Sequence, residues 1–156
     1  AATALPNKAE RIRNLHRHIK KELPKADPGP VVATHGDFYE ANVYLTHDAD
    51  TGYALSGLLD LDTMGPGHMV DDLACMLGHL AILPTVHPGY ASTQQIRRAW
   101  EKDFEQVVNS RALQLRTAAV ALSLVAGARA TKREGWYETA CRRLDTVEEI
   151  MSAKKT

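Results

Sequence analysis

Apolar residues recur every three or four positions near the start of the chain: Ile12, Leu15, Ile19 and Leu23. This spacing is typical of an amphipathic helix. Asn7 followed by Glu10 has the pattern of a capping box, so we expect the helix to cover residues 7–23 and to end at Pro24. The proline- and glycine-rich residues 25–30 then predict an irregular connector.

Three short β-prone runs follow the connector: Val31–Thr34, Val43–Leu45 and Tyr53–Leu61. Turn-forming residues at 47–52 separate the second run from the third. The pattern predicts a small β-hairpin with a loop on either side of it.

After residues 65–67, Gly-Pro-Gly, the pattern is helical to the end of the chain. We expect one helix capped by Asp71 or Asp72, one opened by a Ser92–Gln95 capping box, a central one from Leu113 to about Ala130, and a last one carrying Tyr137, Cys141, Leu144, Val147 and Met151. The predicted fold class is therefore α+β and mostly helical, with five helices and a small hairpin in a single domain over residues 1–156.

The composition is that of an ordinary globular protein, with 44% hydrophobic and 24% charged residues, which excludes a disordered or low-complexity chain. Cys75 and Cys141 lie in apolar helical sequence without CxxC spacing, and this indicates free buried thiols of a cytoplasmic protein. The longest apolar run, Ala118–Ala128, is about half the length needed to cross a bilayer, and no signal peptide is evident. We therefore expect no membrane association.

Charge is balanced overall but unevenly distributed. The net charge is zero, which argues against nucleic acid as a partner. No lysine or arginine lies between Lys25 and Arg97, yet that stretch holds nine acidic residues: Asp27, Asp37, Glu40, Asp48, Asp50, Asp60, Asp62, Asp71 and Asp72. Without basic neighbours in the sequence, carboxylates that cluster in the fold are expected to be solvated, as in exposed polar loops, protonated, or bound to a divalent cation.

The loops around the predicted hairpin hold the residues best suited to chemistry. Asp37 follows a short strand, Asn42 precedes the next strand, and Asp60 is expected at the end of the hairpin's second strand. Such oxygen ligands suit Mg²⁺, and a carboxylate not bound to the metal can orient a substrate hydroxyl for attack. The alternative is that Asp37 and Asn42 are turn residues that bond their own backbone.

The motifs themselves are more specific than this spacing. They are His35-Gly36-Asp37-Phe38-Tyr39-Glu40-Ala41-Asn42-Val43, Leu59-Asp60-Leu61, Gly65 with Gly67, and Asp72-Leu73-Ala74. In this order they resemble the signature of the aminoglycoside phosphotransferase and choline kinase family, kinase-like enzymes that act on small molecules. His68-Met69 stands where that signature often has Asp-Pro. The flanking helices fit the C-terminal lobe of the family's fold, with the hairpin carrying the catalytic loop.

The resemblance implies a role for each matching residue. Asp37 would be the catalytic aspartate, and Asn42 and Asp60 would be the magnesium ligands. His35 and Asp72 would support the catalytic loop. Two acidic neighbours, Glu40 and Asp62, are candidates for binding the substrate, a role that the motif does not fix. ATP and Mg²⁺ would be the cofactors, and the acceptor would be an aminoglycoside, an amino alcohol or a sugar.

The resemblance also implies an N-terminal lobe with a glycine-rich strand pair and a strand lysine, which this sequence lacks. No lysine lies in a β-prone run, and no glycine-rich strand precedes His35. We therefore expect the chain to be the C-terminal lobe of a longer kinase and nearly inactive alone, with the missing lobe of the same protein as its partner. The alternative is a kinase-like module that binds a partner or dimerises without catalysis.

Overall fold

The computed structural model describes residues 1–131 and 133–153, and this part of the chain is mostly helical with two small sheets. Its elements, in order, are α1 (Ala9–Glu22), β1 (Val31–Thr34), β2 (Val43–Asp48), β3 (Gly52–Leu58), β4 (Gly65–His68), α2 (Met69–Val86), α3 (Thr93–Phe104), α4 (Ser110–Leu124), α5 (Gly127–Ala130) and α6 (Trp136–Ser152). Short 3₁₀ turns occur at Pro6–Lys8, Leu23–Lys25, Glu40–Asn42, Leu61–Thr63 and Pro88–Tyr90. The predicted mixture of five long helices and a small hairpin is confirmed within these residues.

The centre of the molecule is α4, which packs against α1, α2 and α6. Two clusters of buried side chains surround it, one shared with α1 and α6 and a smaller one between the first half of α2 and the start of α4. Gln114 is the polar exception on α4: its buried amide donates to the carbonyls of Ile150 at 2.7 Å and Ala153 at 2.8 Å. Those bonds satisfy carbonyls that the end of α6 leaves open.

The strands form two separate antiparallel pairs. β2 and β3 form the predicted hairpin, with a register shift between Tyr44 and Leu45. β1 pairs with β4, a strand that the Gly-Pro-Gly sequence did not predict. Glycine is required there because a Cβ on Gly67 would lie 2.6 Å from the Thr34 hydroxyl oxygen. In this antiparallel register the end of β1 lies opposite the start of β4, so the segment before β4, with Thr63, lies beside the loop that follows β1.

Several predicted helix ends were wrong. The chain enters α1 through the 3₁₀ turn Pro6–Lys8, so the helix begins at Ala9 and the Asn7–Glu10 capping box does not form. Ser92 is the N-cap residue of α3, as expected, but its side chain makes no capping bond. The long central helix predicted to reach Ala130 instead ends at Leu124 and is followed by the one-turn α5.

Helix α2 is apolar along nearly its whole length. By length and composition alone it could cross a membrane, a property that core helices of soluble proteins share. Val70, Ala74 and Leu77 lie on one face and are buried against the smaller core cluster. Asp72, two residues from both Val70 and Ala74, lies on another side of the helix and does not cap it, since the N-cap residue is His68. The prediction that Asp71 or Asp72 caps this helix was therefore wrong.

The two cysteines are free thiols, as predicted, but both are half-buried rather than fully buried. Cys141 packs beside the larger core cluster, and Cys75 lies on α2.

Gly78 tests how tightly α2 packs against α4. A Cβ at this position would lie 2.6 Å from Val120 Cγ1 and 2.8 Å from Val120 Cβ. We expect Gly78→Ala to lower the free energy of unfolding by about 1–2 kcal/mol, because the overpacking outweighs the better helix propensity of alanine. Chemical denaturation measures the change. Gly127→Ala is the helical control, since the nearest atom to its Cβ would be Arg143 Nη1 at 3.4 Å, close to an ordinary van der Waals contact, and an equal loss in both variants would contradict the prediction.

Candidate functional site

The loop between β1 and β2 is fastened to helix α2 by one carboxylate. The backbone N–H of His35 donates to Asp72 Oδ2 at 2.8 Å, and that of Gly36 donates to Asp72 Oδ1 at 2.9 Å. Asp72 can reach both groups because it lies in the first turn of α2, and α2 packs against β1. Asp72, which was predicted to support the loop, thus contacts the loop backbone.

Gly36 allows the chain to turn at this point. Its φ is +86°, and a Cβ would lie 2.6 Å from the backbone oxygen of Thr63. The Thr63 hydroxyl in turn donates to the carbonyl of His35 at 2.9 Å. Only glycine combines this backbone conformation with so close an approach of another segment.

His35 joins the loop to the segment that follows the hairpin. Its ring is buried, with Nε2 2.8 Å from the Leu59 carbonyl and Nδ1 3.3 Å from the N–H of Asp37. Because that N–H is a donor, Nδ1 accepts and Nε2 carries the proton toward Leu59. The neutral imidazole therefore orients the backbone on both sides of the site.

Asn42 closes the loop. Its buried side chain donates from Nδ2 to the Asp37 carbonyl at 3.0 Å, while its own carbonyl accepts from the Leu59 N–H at 3.0 Å. Asn42 thus bonds the backbone of its own loop, as the alternative interpretation predicts. With Nδ2 committed to Asp37, the side-chain oxygen Oδ1 is the atom that can face a cation.

Asp60 lies beyond the end of strand β3, which stops at Leu58 rather than at the predicted Leu61. Its backbone is left-handed, with φ 58° and ψ 52°, a conformation that aspartate tolerates better than most residues. The turn separates Asp60 from the hairpin and starts the 3₁₀ turn that contains Asp62. The sequence did not predict this turn, because it depends on the contacts that Leu59 makes with His35 and Asn42.

The acidic groups at the site influence one another. A hydrogen bond to the Asp62 side chain, followed by the charge of Asp62, raises the pKa of Asp60, and the charge of Asp37 acts in the same direction. The same hydrogen bond lowers the pKa of Asp62. The Asp37 and Asp60 carboxylates therefore share one electrostatic environment, in which a bound cation would stabilise both.

Most other acidic residues of the stretch without lysine or arginine have ordinary structural partners. Asp71 forms an ion pair with Arg116 at 2.6 Å, and Asp27 accepts the Gly29 N–H at 2.9 Å. Asp48 accepts two N–H groups of the hairpin turn, which lowers its pKa. The exposed-loop interpretation therefore fits Asp27 and Asp48, whereas Asp71 lies on α2 and has a basic partner on another helix.

Asp37 also faces two side chains of α2 that the sequence analysis did not single out. The Cys75 thiol donates to Asp37 Oδ1 at 3.8 Å, and Cys75, His79 and Asp37 each offer an atom within 4.8 Å of the others. Tyr39 stacks on His79 with ring centroids 4.1 Å apart. Asp72, Cys75 and His79 follow each other at helical spacing, so they share one face of α2. Together with the predicted role of Asp72, this spacing was the signal in the sequence that could have placed Cys75 and His79 near the loop.

Burial and charge set the protonation of these neighbours. Burial, and next the charge of Asp37, raises the pKa of the Cys75 thiol to about 12. Burial lowers the pKa of His79, opposed by the charges of Glu40 and Asp37. Glu40 Oε2 is itself buried and has no hydrogen-bond partner among the described residues. At neutral pH, Asp37 therefore faces a protonated thiol and a neutral imidazole.

Chemically, the site offers oxygen donors around one loop. The Asn42 amide oxygen and the Asp60 carboxylate are hard ligands of the type that Mg²⁺ prefers, so these residues fit that cation. Asp37 is held beside them by its own backbone bonds to His35 and Asn42. Such a set can bind a metal–phosphate group and orient a hydroxyl.

Comparison with known proteins gives one result. The model of the phosphotransferase enzyme family matches residues 1–107, about two thirds of the chain. This match includes all of the predicted site residues and ends just after α3. No curated protein and no solved structure matches the chain.

Removing the Asp72 carboxylate tests the anchoring of the loop. We expect Asp72→Ala to lower the free energy of unfolding by about 2 kcal/mol, because two backbone N–H groups lose their acceptor. Asp50→Ala is the control: its side chain is exposed in the hairpin turn, so we expect a loss below about 0.5 kcal/mol. Urea denaturation compares the two variants, and an equal loss in both would contradict the assignment.

Proposed function

The chain belongs to the phosphotransferase enzyme family, and on that premise we propose that it supplies the catalytic loop for Mg²⁺-dependent phosphoryl transfer from ATP to a hydroxyl group of a small molecule. The observation that carries this proposal is the loop itself: Asp72 and Asn42 bond its backbone, and His35 joins it to Leu59. The charge of Asp37 also acts on Asp60. Positioning and electrostatics are most of what a phosphoryl-transfer enzyme contributes.

In this proposal Asp37 accepts the hydrogen bond of the attacking hydroxyl and orients it toward the phosphorus. Asn42 Oδ1 and the Asp60 carboxylate hold Mg²⁺, which, when bound, neutralises charge on the phosphate oxygens. His35 and Asp72 act through the backbone of the loop, and so are positioning residues. The neighbouring Asp62 raises the pKa of Asp60 and adds to the negative charge that a bound cation would neutralise.

The acceptor is proposed to be an aminoglycoside, an amino alcohol or a sugar. The absence of lysine and arginine between residues 25 and 97 leaves the site's surroundings acidic, which favours an amine-bearing acceptor. Glu40 and Asp62 are the carboxylates that we propose for contact with such a group. The free thiols of Cys75 and Cys141 are consistent with the cytoplasm as the proposed compartment.

We further propose that this chain is the C-terminal lobe of a two-lobed kinase fold. Among the described residues, none of the four strands carries a lysine or arginine that could hold the phosphates of ATP. The hairpin also leaves Tyr44, Leu45, Tyr53 and Leu55 more than half exposed, an apolar surface suited to a second lobe. That surface equally favours the alternative, a kinase-like module that binds a partner or dimerises.

Titration of Mg·ADP into the chain separates the enzyme from the module. We expect weak binding that requires Mg²⁺ and is lost in Asp60→Ala, because a metal ligand is removed. Asp50→Ala, in the exposed hairpin turn, is the matched control and should bind like the original chain. Calorimetry measures the heats, and binding that is absent, or independent of Asp60 and Mg²⁺, would contradict the proposal.

Turnover by the chain alone tests the two-lobe proposal. We expect its ATP-dependent phosphorylation of an aminoglycoside or amino alcohol to fall far below an ordinary rate of about 1 per second, because no strand lysine holds the phosphates. Asp37→Asn identifies any contaminating kinase, whose activity it would leave unchanged. A coupled assay that gave an ordinary rate, abolished in Asp37→Asn, would establish that the chain is sufficient.

A further inference from the structure

The side chains around Asp37 form a second potential ligand set, different from the oxygen donors at Asn42 and Asp60. We propose that Asp37, Cys75 and His79 bind a transition-metal cation of the zinc class. Cys75 and His79 are four residues apart on α2 and so project from the same face, while Asp37 reaches them from the loop after β1.

The distances fit such a cation. Sγ of Cys75 is 3.8 Å from Oδ1 of Asp37, and one ligand atom from each of the three residues lies within 4.8 Å of the others. With zinc bonds of about 2.3 Å to sulfur and about 2.0–2.1 Å to nitrogen, tetrahedral ligand atoms lie roughly 3.3–3.8 Å apart. Small side-chain rotations would therefore bring the three ligand atoms to these separations. All three residues are half-buried, so few contacts with water must be given up.

The donor types select the class of metal. Sulfur, imidazole nitrogen and one carboxylate oxygen are the ligands of Zn²⁺ and similar borderline cations, whereas Mg²⁺ and Ca²⁺ require oxygen. Three protein ligands also leave a fourth tetrahedral position open. The set is therefore matched to zinc-class ions and is a poor one for magnesium.

Two neighbouring residues support the assignment independently. Glu40 Oε2 is buried without a hydrogen-bond partner in the described part of the chain, a costly state that a nearby cation would relieve. The charge of Glu40 acts to raise the pKa of both Cys75 and His79. Tyr39 stacks on the His79 ring, with the ring centroids 4.1 Å apart, and restricts the orientation of the imidazole.

Binding exchanges a proton for a metal. The sulfur–hydrogen bond of Cys75 breaks, a metal–sulfur bond forms, and the proton passes to solvent, so that affinity rises with pH. The Asp37 carboxylate would also be a ligand of the bound metal. If Asp37 orients the acceptor hydroxyl, as the proposed function has it, an occupied site blocks phosphoryl transfer; the binding itself does not depend on that function.

The test is a titration of the 156-residue chain with Co²⁺ as a spectroscopic substitute for Zn²⁺. We expect an intense thiolate-to-cobalt absorption band that stoichiometric Zn²⁺ displaces and excess Mg²⁺ does not. Cys75→Ser should abolish the band and weaken Zn²⁺ binding by at least about 100-fold, since a ligand matters more than the residues around it. Cys141→Ser, the other half-buried free thiol, is the matched control and should keep the band.

His79→Gln, with His87→Gln as its control, tests the nitrogen ligand, and circular dichroism verifies that each variant is folded. No band in the folded original chain, or a band that persists in Cys75→Ser, would overturn the proposal. Proton release on Zn²⁺ addition, absent in Cys75→Ser, would support it. These readouts involve no nucleotide, so failure here is distinct from the loss of Asp60-dependent Mg·ADP binding.

Discussion

The two hydrogen bonds from the loop backbone to the Asp72 carboxylate are the constraint on which the site depends. They hold the backbone nitrogens of His35 and Gly36 at 2.8 and 2.9 Å from the Asp72 carboxylate oxygens, and so attach the loop to the start of α2. The packing of α2 against β1 brings the two segments together, and the burial of Val70, Ala74 and Leu77 fixes the rotation of the helix. Because the loop is attached to α2 in this way, the position of Asp37 depends on the helical core.

The sequence predicted the parts of the molecule that follow from local pattern. Helical spacing located the five long helices, and alternating β-prone runs located the hairpin. The Asn42 side chain bonds the Asp37 carbonyl, as the alternative of a residue that bonds its own loop predicts. Strand β4 could not be predicted, because its Gly-Pro-Gly sequence is typical of a turn and becomes a strand only through pairing with β1. Two predicted helix caps were wrong for a similar reason. Asn7 lies in a 3₁₀ turn and Asp72 accepts hydrogen bonds from the loop backbone, so neither residue caps a helix.

The surroundings of Asp37 required the three-dimensional structure. Cys75 and His79 have no motif in the sequence, and only the register of α2 relative to Asp72 places them beside the loop. The turn at Asp60 likewise depends on Leu59, whose N–H and carbonyl are held by Asn42 and His35. Residues 35–42 and 59–63 are therefore one unit in space, although the hairpin separates them along the chain.

That separation has a consequence for the hairpin itself. The bonds that close the site, from His35 and Asn42 to Leu59, lie at the base of β2 and β3 and form a clasp around residues 43–58. The hairpin tip is secured locally by Asp48, which accepts bonds from Asp50 and Thr51. Because lengthening a loop that is already closed costs little entropy, the tip is a place where the chain can accept an insertion, a shortened turn or a reporter peptide without moving the residues below the clasp.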